Sequence, residues 1–493
     1  MKTSRLLIAL FAALLAGSAL AETPGITRGN FLRKPEYQTY ATTSLFVDPT
    51  GNDANACTAT GTDACLTLGG AIAKLPRFIR NNVTITLAAG TYTGSTTIAD
   101  LHFNGSSSLL TITGPALTAV TPATGTSTGT LTGYTATTAT VPGVLTDSTQ
   151  TWTTNDLRGR FVRITSGGAN NQLRAISGNT ATGLEIAGYY SSNPAAGATY
   201  EIVTPAAIIG QVIIGGNVDT GTATANLISL TQLDLTNSTA GTTLSVGGKF
   251  QYTVRTPDSR VLATGTGSAV AGSVFVGGGS GNASVTMANS GSGWAIFGSS
   301  TIEPQNWGNA AAAQAPFVYS ASGNAIRQSS RNLQVAINAP SGIYETGSAS
   351  AAVISIGSGT YFAGSTTNTS TQVGRFIRCP SGSTGQGILV GDSPRAEYHQ
   401  FPVNVFTVTN CAVGMSFNGL IAVPSFGTLS FVSTTTAIQL TKGATMNLQA
   451  APTFSGVTNE IQVDGTNYTY AFINALSPKF LTNAATKSSI GIY

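Results

Sequence analysis

The sequence predicts an all-β protein: one long body of repeated short strands, with a small antiparallel β domain inserted near its amino-terminal end. Three observations point there. Charged residues make up only 9% of the 493 residues, against about 25% in ordinary globular domains, and Thr, Ser, Gly, Ala and Asn fill the space. Val, Ile, Thr and Phe recur in short alternating runs, the mark of half-buried strands, where a disordered chain would be poor in them. One stretch, residues 118–203, departs from the rest and reads as strands joined by hairpin turns.

The chain starts with Lys2 and Arg5, an apolar run from Leu6 to Leu15, and the small-x-small site Ala19-Leu20-Ala21. This reads as a signal peptide over residues 1–21, cleaved near Ala21, so a secreted, periplasmic or cell-surface location is expected. The run is too short to span a bilayer, and no later segment reaches about 18 uninterrupted apolar residues, so no transmembrane anchor is expected. The formal net charge is +4, leaving +2 once Lys2 and Arg5 are removed. With no basic cluster besides, the sequence argues against a nucleic-acid partner. A weakly charged surface rich in hydroxyls and amides suits an extracellular polysaccharide as partner, or is simply a solvated β surface.

Residues 22–43, with Arg28, Arg33 and Lys34, read as an extended lead-in. Next come Leu45-Phe46-Val47-Asp48-Pro49-Thr50-Gly51-Asn52-Asp53, a helix-like run from Leu66 to Ile79, and Val83-Thr84-Ile85-Thr86-Leu87-Ala88-Ala89-Gly90-Thr91-Tyr92. Leu68, Ile72, Leu75 and Ile79 fall at near-helical spacing. This stretch resembles the opening of a right-handed parallel β-helix of the pectin-lyase-like kind, in which a first strand and an amphipathic helix cover the open end of the coil. The resemblance implies coils of three short strands, each strand pairing in parallel with the one below at about 4.8 Å, around a continuous core. Segments 44–117 would then hold the cap and first coils, 204–475 the remaining coils, and 476–493 a carboxy-terminal cap. The later strand candidates include Ile208 to Ile214, Leu227 to Leu235, Val353 to Ile356, Phe406 to Val408 and Ile461 to Val463. No fixed repeat period runs through them.

The 118–203 stretch resembles small β-barrel modules inserted in exported or phage-tail-like proteins. It carries Arg158, Arg160, Arg163 and Arg174, which belong to a solvated sheet face or to a ligand contact. Residues 255–338 read as an irregular excursion, with a Gly/Ser run and with Trp294 and Trp307, which either pack in the core or stack on sugar rings.

Four cysteines follow the signal: Cys57, Cys65, Cys379 and Cys411. An even count in an exported chain favours disulfides. Cys57 and Cys65 flank a loop that they can close locally. On the β-helix reading Cys379 and Cys411 stand one or two coils apart and can stack, so the local pairing is expected over the other two.

Motifs for chemistry are few. No cysteine or histidine spacing resembles a metal site, and no phosphate-binding or dinucleotide motif occurs, so no cofactor is expected. Gly125-Thr126-Ser127-Thr128-Gly129 matches a nucleophile elbow formally, but no apolar strand precedes it and no helix follows. His102 reads as a packed or edge residue. Pectin-lyase-like enzymes use clustered carboxylates, with a basic residue in the lyases and two or three aspartates in the hydrolases. Here 19 carboxylates are scattered through the chain, and no Asp-Asp or Asp-x-Asp pair occurs. The densest charge in the carboxy-terminal half is Gly391-Asp392-Ser393-Pro394-Arg395-Ala396-Glu397-Tyr398-His399-Gln400, with Arg375 and Arg378 one coil earlier by count. Asp392, Arg395, Glu397, Tyr398 and His399 are therefore the candidate catalytic set, able to neutralise a uronate and move a proton. A polar loop is the other explanation of that segment.

Three functional readings follow. The first is a non-catalytic exported surface or structural protein that binds glycans, with an adhesion-like role. The second is a polysaccharide lyase or glycoside hydrolase. The third is a tailspike-like subunit in a trimer or other oligomer, against which the signal peptide speaks.

Overall fold

The structure is a computed structural model. It describes residues 38–105, 108–138, 140–215, 228–247, 254–264, 268–272, 283–287, 294–296, 316–328, 334–337, 342–356, 361–364, 375–398, 406–425, 429–441, 445–448, 452–463, 470–473, 480–481 and 489–492. The signal segment, most of the lead-in, Trp307 and His399 lie outside these residues.

The chain is a parallel β-helix with an inserted antiparallel module. Two long sheets form the stack, one of 11 strands and one of 15, and a five-strand sheet closes the third side of the first coils. Pairing within all three is parallel, and successive strands of a sheet belong to successive coils. The ladders continue through 255–338: strands Ser259–Ala263, Ala283–Met287 and Pro316–Ser320 pair in order, as do Val270–Gly272, Trp294–Ile296 and Ile326–Gln328.

Short strands suit this fold because each coil must turn sharply between sheets. Single polar residues in the left-handed region make several of these corners, among them Gln232 (φ 53°), Asn410 (φ 61°) and Ser433 (φ 53°). Alternation then sends one set of side chains inward. Ile85, Ile112, Leu230, Leu235, Val261, Ile354, Ile388, Met415, Ile438 and Ile461 join a single continuous core.

The amino-terminal motif leads into a short helix that packs on the core. The Asp53 carboxylate accepts from the Leu66 and Thr67 backbone N–H groups (2.9 and 2.8 Å) and from the Thr67 hydroxyl (2.8 Å). Thr67 Oγ1 in turn accepts from Gly70 N and caps the helix. That helix spans only Leu68–Ala73, shorter than the Leu66-to-Ile79 run the spacing suggests. Pro76 disfavours helical geometry at Leu75, and Ile79 belongs to strand Phe78–Ile79. Leu68 is buried, and Ile72 and Leu75 still pack on the core. Both local disulfides form, Cys57–Cys65 just before this helix in the chain and Cys379–Cys411 across adjacent coils.

Between strands Leu110–Thr113 and Ala207–Ile209 the chain leaves the stack and builds an eight-strand antiparallel sheet from Thr118–Ala119 to Thr199–Thr204. This module has its own core, including Leu145, Trp152, Val162, Ile176, Ile186 and Tyr200. It rejoins at Ala207–Ile209 yet packs against strands Pro316–Ser320, Gly342–Thr346 and Arg375–Arg378, which stand four to six places further along the same sheet. At about 4.8 Å per strand, the module therefore lies along about 20–30 Å of the stack.

Candidate functional site

Two surfaces compete for a functional role: the seam where the module meets the coils, and the outward face of the 15-strand sheet.

The seam begins as an apolar contact. Phe317, Ile343 and Phe376 stand in register on neighbouring strands and point outward, yet they are 0, 0 and 2% exposed. Leu117, Phe161, Leu173, Ala175, Ala187 and Val203 of the module cover them. The next outward row is charged. Arg378 donates to Glu185 of the module through both terminal nitrogens (2.7 and 2.6 Å) and to Glu345 on the neighbouring strand (3.3 Å). Arg158 of the module also reaches Glu345 (3.3 Å), and its guanidinium lies 4.3 Å from the Tyr319 ring centroid. Ser177 donates to Glu185 as well. Burial alone would raise the Glu185 carboxyl, but the charges of Arg378 and Arg158 and the hydrogen bonds more than offset it and hold the group below the usual range. A glycosidase-type carboxylate pair needs one partner held protonated. Here Glu185 is held by Arg378, and Glu345 by Arg378 and Arg158, so the arrangement is that of a clamp. A second anchor lies nearer the insertion point, where Asp234 meets Arg260 of the coils (3.2 Å) and Arg160 of the module (4.0 Å).

Inside the module, the segment that mimics a nucleophile elbow has a packing role. Buried Asp147 accepts from the Tyr200 hydroxyl (2.8 Å) and from the Thr149 hydroxyl and backbone N–H. Burial would raise this carboxyl, and these bonds bring it net below its ordinary value. A Cβ on Gly129 would stand 2.3 Å from Asp147 Oδ2 and 2.6 Å from Tyr200 Oη, so the glycine makes room for that pair. Gly125 (φ 77°) lies against Trp152, whose indole N–H donates to the Thr126 carbonyl.

The other surface is polar and half-buried. On the 15-strand sheet the outward positions Ser355, Leu389, Ser416, Gln439 and Gln462 stand in register on five successive strands, with Arg327 one strand before them. Ser416 Oγ donates to Gln439 Oε1 (3.2 Å). Thr436 bonds Gln462 (3.4 Å), and Thr441 bonds Asn418 beside them (2.5 Å). The five rungs from Ser355 to Gln462 carry no charge. Gln439 and Gln462 are half-buried, and Ser416 is covered.

The sequence-predicted site residues fall as follows. Asp392, Arg395, Glu397 and Tyr398 lie in strand Gln386–Tyr398, with their backbone alone described, and the strand's pairing shifts register between Val390 and Ser393 and again before Glu397. Arg375 and Arg378 belong to the other long sheet, and Arg378 is committed to the seam. Trp294 takes a register position between Val270 and Ile326, two core positions. His102 stacks on Phe78 at 5.3 Å. Of the module arginines, Arg158 and Arg160 hold the seam, Arg163 pairs with Glu201 (2.6 Å), and Arg174 is buried over Tyr190. Among the described residues no three His, Cys, Asp or Glu side chains converge as a metal ion would need, and no helix is long and apolar enough to cross a membrane.

The docking residues escaped the sequence reading, although a signal was present. Phe317-Val318-Tyr319, Ile343-Tyr344 and Phe376-Ile377 are unbroken apolar runs, as in strands buried on both faces, whereas Ile354-Ser355-Ile356 alternates.

No protein-family model matches the chain. No curated protein matches it by sequence. Among solved structures it is similar to the tailspike gp61 of Pseudomonas phage phi297 (11% identity, TM-score 0.23, covering 86% of this chain and 72% of that one). It is also similar to the gp54 tailspike of Acinetobacter baumannii bacteriophage AP22, solved with a capsular saccharide (9%, TM-score 0.25, 83% and 72%). A third similar structure is a glycoside hydrolase (8%, TM-score 0.22, 84% and 96%). Likeness at this level carries no functional argument.

Proposed function

We propose that this chain is an exported, non-catalytic surface or structural protein that binds a neutral glycan along the outward face of its 15-strand sheet. The observation that supports this reading is the uncharged row from Ser355 to Gln462, in register over five coils. Hydroxyls and amides both donate and accept, as sugar hydroxyls do, and neither needs a counter-charge when a neutral ligand covers it. The strand spacing sets the Gln439 and Gln462 amides about 4.8 Å apart on neighbouring coils, so both can reach hydroxyls of one linear polymer. Arg158 and Arg378, two arginines that an acidic ligand could use, are paired with Glu185 and Glu345 at the seam.

The test is binding of the mature chain to an array of neutral and acidic glycans, beside the Gln439→Ala/Gln462→Ala double variant. Neutral glycans should bind, and the variant should lose at least tenfold in affinity. Binding confined to acidic glycans, or untouched by the double variant, contradicts the reading. Incubation with the same glycans, followed by absorbance at 235 nm and by reducing ends, addresses catalysis. Product formation that His399→Ala abolishes would establish the lyase or hydrolase reading instead.

A further inference from the structure

Among the described residues the core of the coils is mainly apolar, and Arg375 departs from it. In strand Arg375–Arg378, Phe376 and Arg378 face the module while Ile377 enters the core, and Arg375 shares the side of Ile377. Arg375 is 1% exposed. Its guanidinium carbon lies 5.2 Å from the Phe406 ring centroid on the next coil. Among the described residues none of its three side-chain nitrogens has a hydrogen-bond partner. The hydroxyl of Tyr344, a fully buried residue on the preceding coil, is likewise unpartnered. Gly342 stands in register beside Arg375, so that neighbour brings no side chain into the space.

An arginine cannot escape burial by losing its proton. Desolvation lowers its pKa to about 10, which leaves it charged at neutral pH. An unpaired cation in an apolar core is strongly destabilising, and cores that hold one supply a partner. The guanidinium offers only donors and the buried Tyr344 phenol stays neutral, so the missing partner is an acceptor with negative charge. It is also small, because Ile377, Phe406 and Val408 close the surroundings at 0 to 1% exposure.

We propose that Arg375 and Tyr344 form an internal site for a small inorganic anion of the size and charge of chloride, enclosed as the coils close over it. Such an ion binds the folded chain and not the unfolded one, so it stabilises by mass action.

The test uses the full mature chain in sodium chloride and in sodium gluconate at equal ionic strength. Raising chloride fifty-fold should lift Tm by about 2 °C above the gluconate series. Arg375→Met should remove the difference between the salts, whatever its own Tm. If that variant does not fold, Tyr344→Phe serves instead and should shrink the chloride response. Crystals grown in bromide should show an anomalous peak within hydrogen-bonding reach of the guanidinium. Equal Tm values in the two salts would overturn the proposal. So would an unchanged chloride response in the variant, or a carboxylate of this chain lying against Arg375 in the crystal.

Discussion

The two long sheets share one core and differ in what they turn outward. The 11-strand sheet presents Phe317, Ile343 and Phe376, then Tyr319, Glu345 and Arg378 in the adjacent row, and the module covers them. The 15-strand sheet presents Ser355, Leu389, Ser416, Gln439 and Gln462 in register, and among the described residues the module's core does not extend over them. Outward residue type thus distinguishes the face that docks the module from the face that does not. The first gains stability from every contact it makes. The second is held by a few side-chain hydrogen bonds, Ser416 to Gln439 and Thr436 to Gln462 among them.

Breaking the covered face should have the largest effect. Phe317→Ala or Phe376→Ala leaves a cavity in the seam and should cost about 3–5 kcal/mol each, read by equilibrium unfolding in denaturant. Arg378→Ala should cost about 3 kcal/mol, because it removes both direct nitrogen contacts to Glu185 and leaves Glu345 with Arg158 alone. The same contact sets a pH dependence. The Glu185 carboxyl is depressed in the folded chain, so its stabilising contribution is present above the unfolded carboxylate value of about 4.3 and is lost as pH falls through the folded value. Unfolding midpoints taken from pH 6 to pH 3 should fall more steeply for the wild type than for Arg378→Ala. Equal slopes would mean that the ion pair does not hold the seam.

A smaller effect is expected inside the module. Gly129→Ala forces a methyl group into the Asp147–Tyr200 hydrogen bond and should cost about 1–3 kcal/mol, visible as faster hydrogen exchange in strand Thr199–Thr204. The smallest effect on stability belongs to the polar face. Gln439→Ala should change unfolding by less than about 0.5 kcal/mol and still weaken glycan binding. A large loss of stability there would show that the row supports the fold and is not a spare surface.

The all-β class was legible because alternation and turn residues are local properties. So was the inserted antiparallel module, since the 118–203 stretch changes its pattern abruptly. The short helix after Gly51-Asn52-Asp53 was legible from the resemblance, and Asp53 accepts from the backbone N–H groups that lead into it. The helix was overread because spacing alone does not register the stop imposed by Pro76. The seam was hidden for a different reason. Glu185 and Arg378 are 193 residues apart, and only the register of six intervening strands brings them together. Arg375 was grouped with Arg378 beside the candidate set, but strand alternation sends the two to opposite sides of the sheet. For the candidate set at Asp392 to His399, a run of charge in sequence does not fix which groups converge, least of all in a strand that shifts register twice.

The most direct test of the division between faces is a double-mutant cycle across the seam, combining Glu185→Gln with Arg378→Met and reading each unfolding free energy. Docking through this pair predicts a coupling of about 2 kcal/mol. Additivity within about 0.5 kcal/mol would contradict it, and would mean that the module does not bind the 11-strand face through this contact.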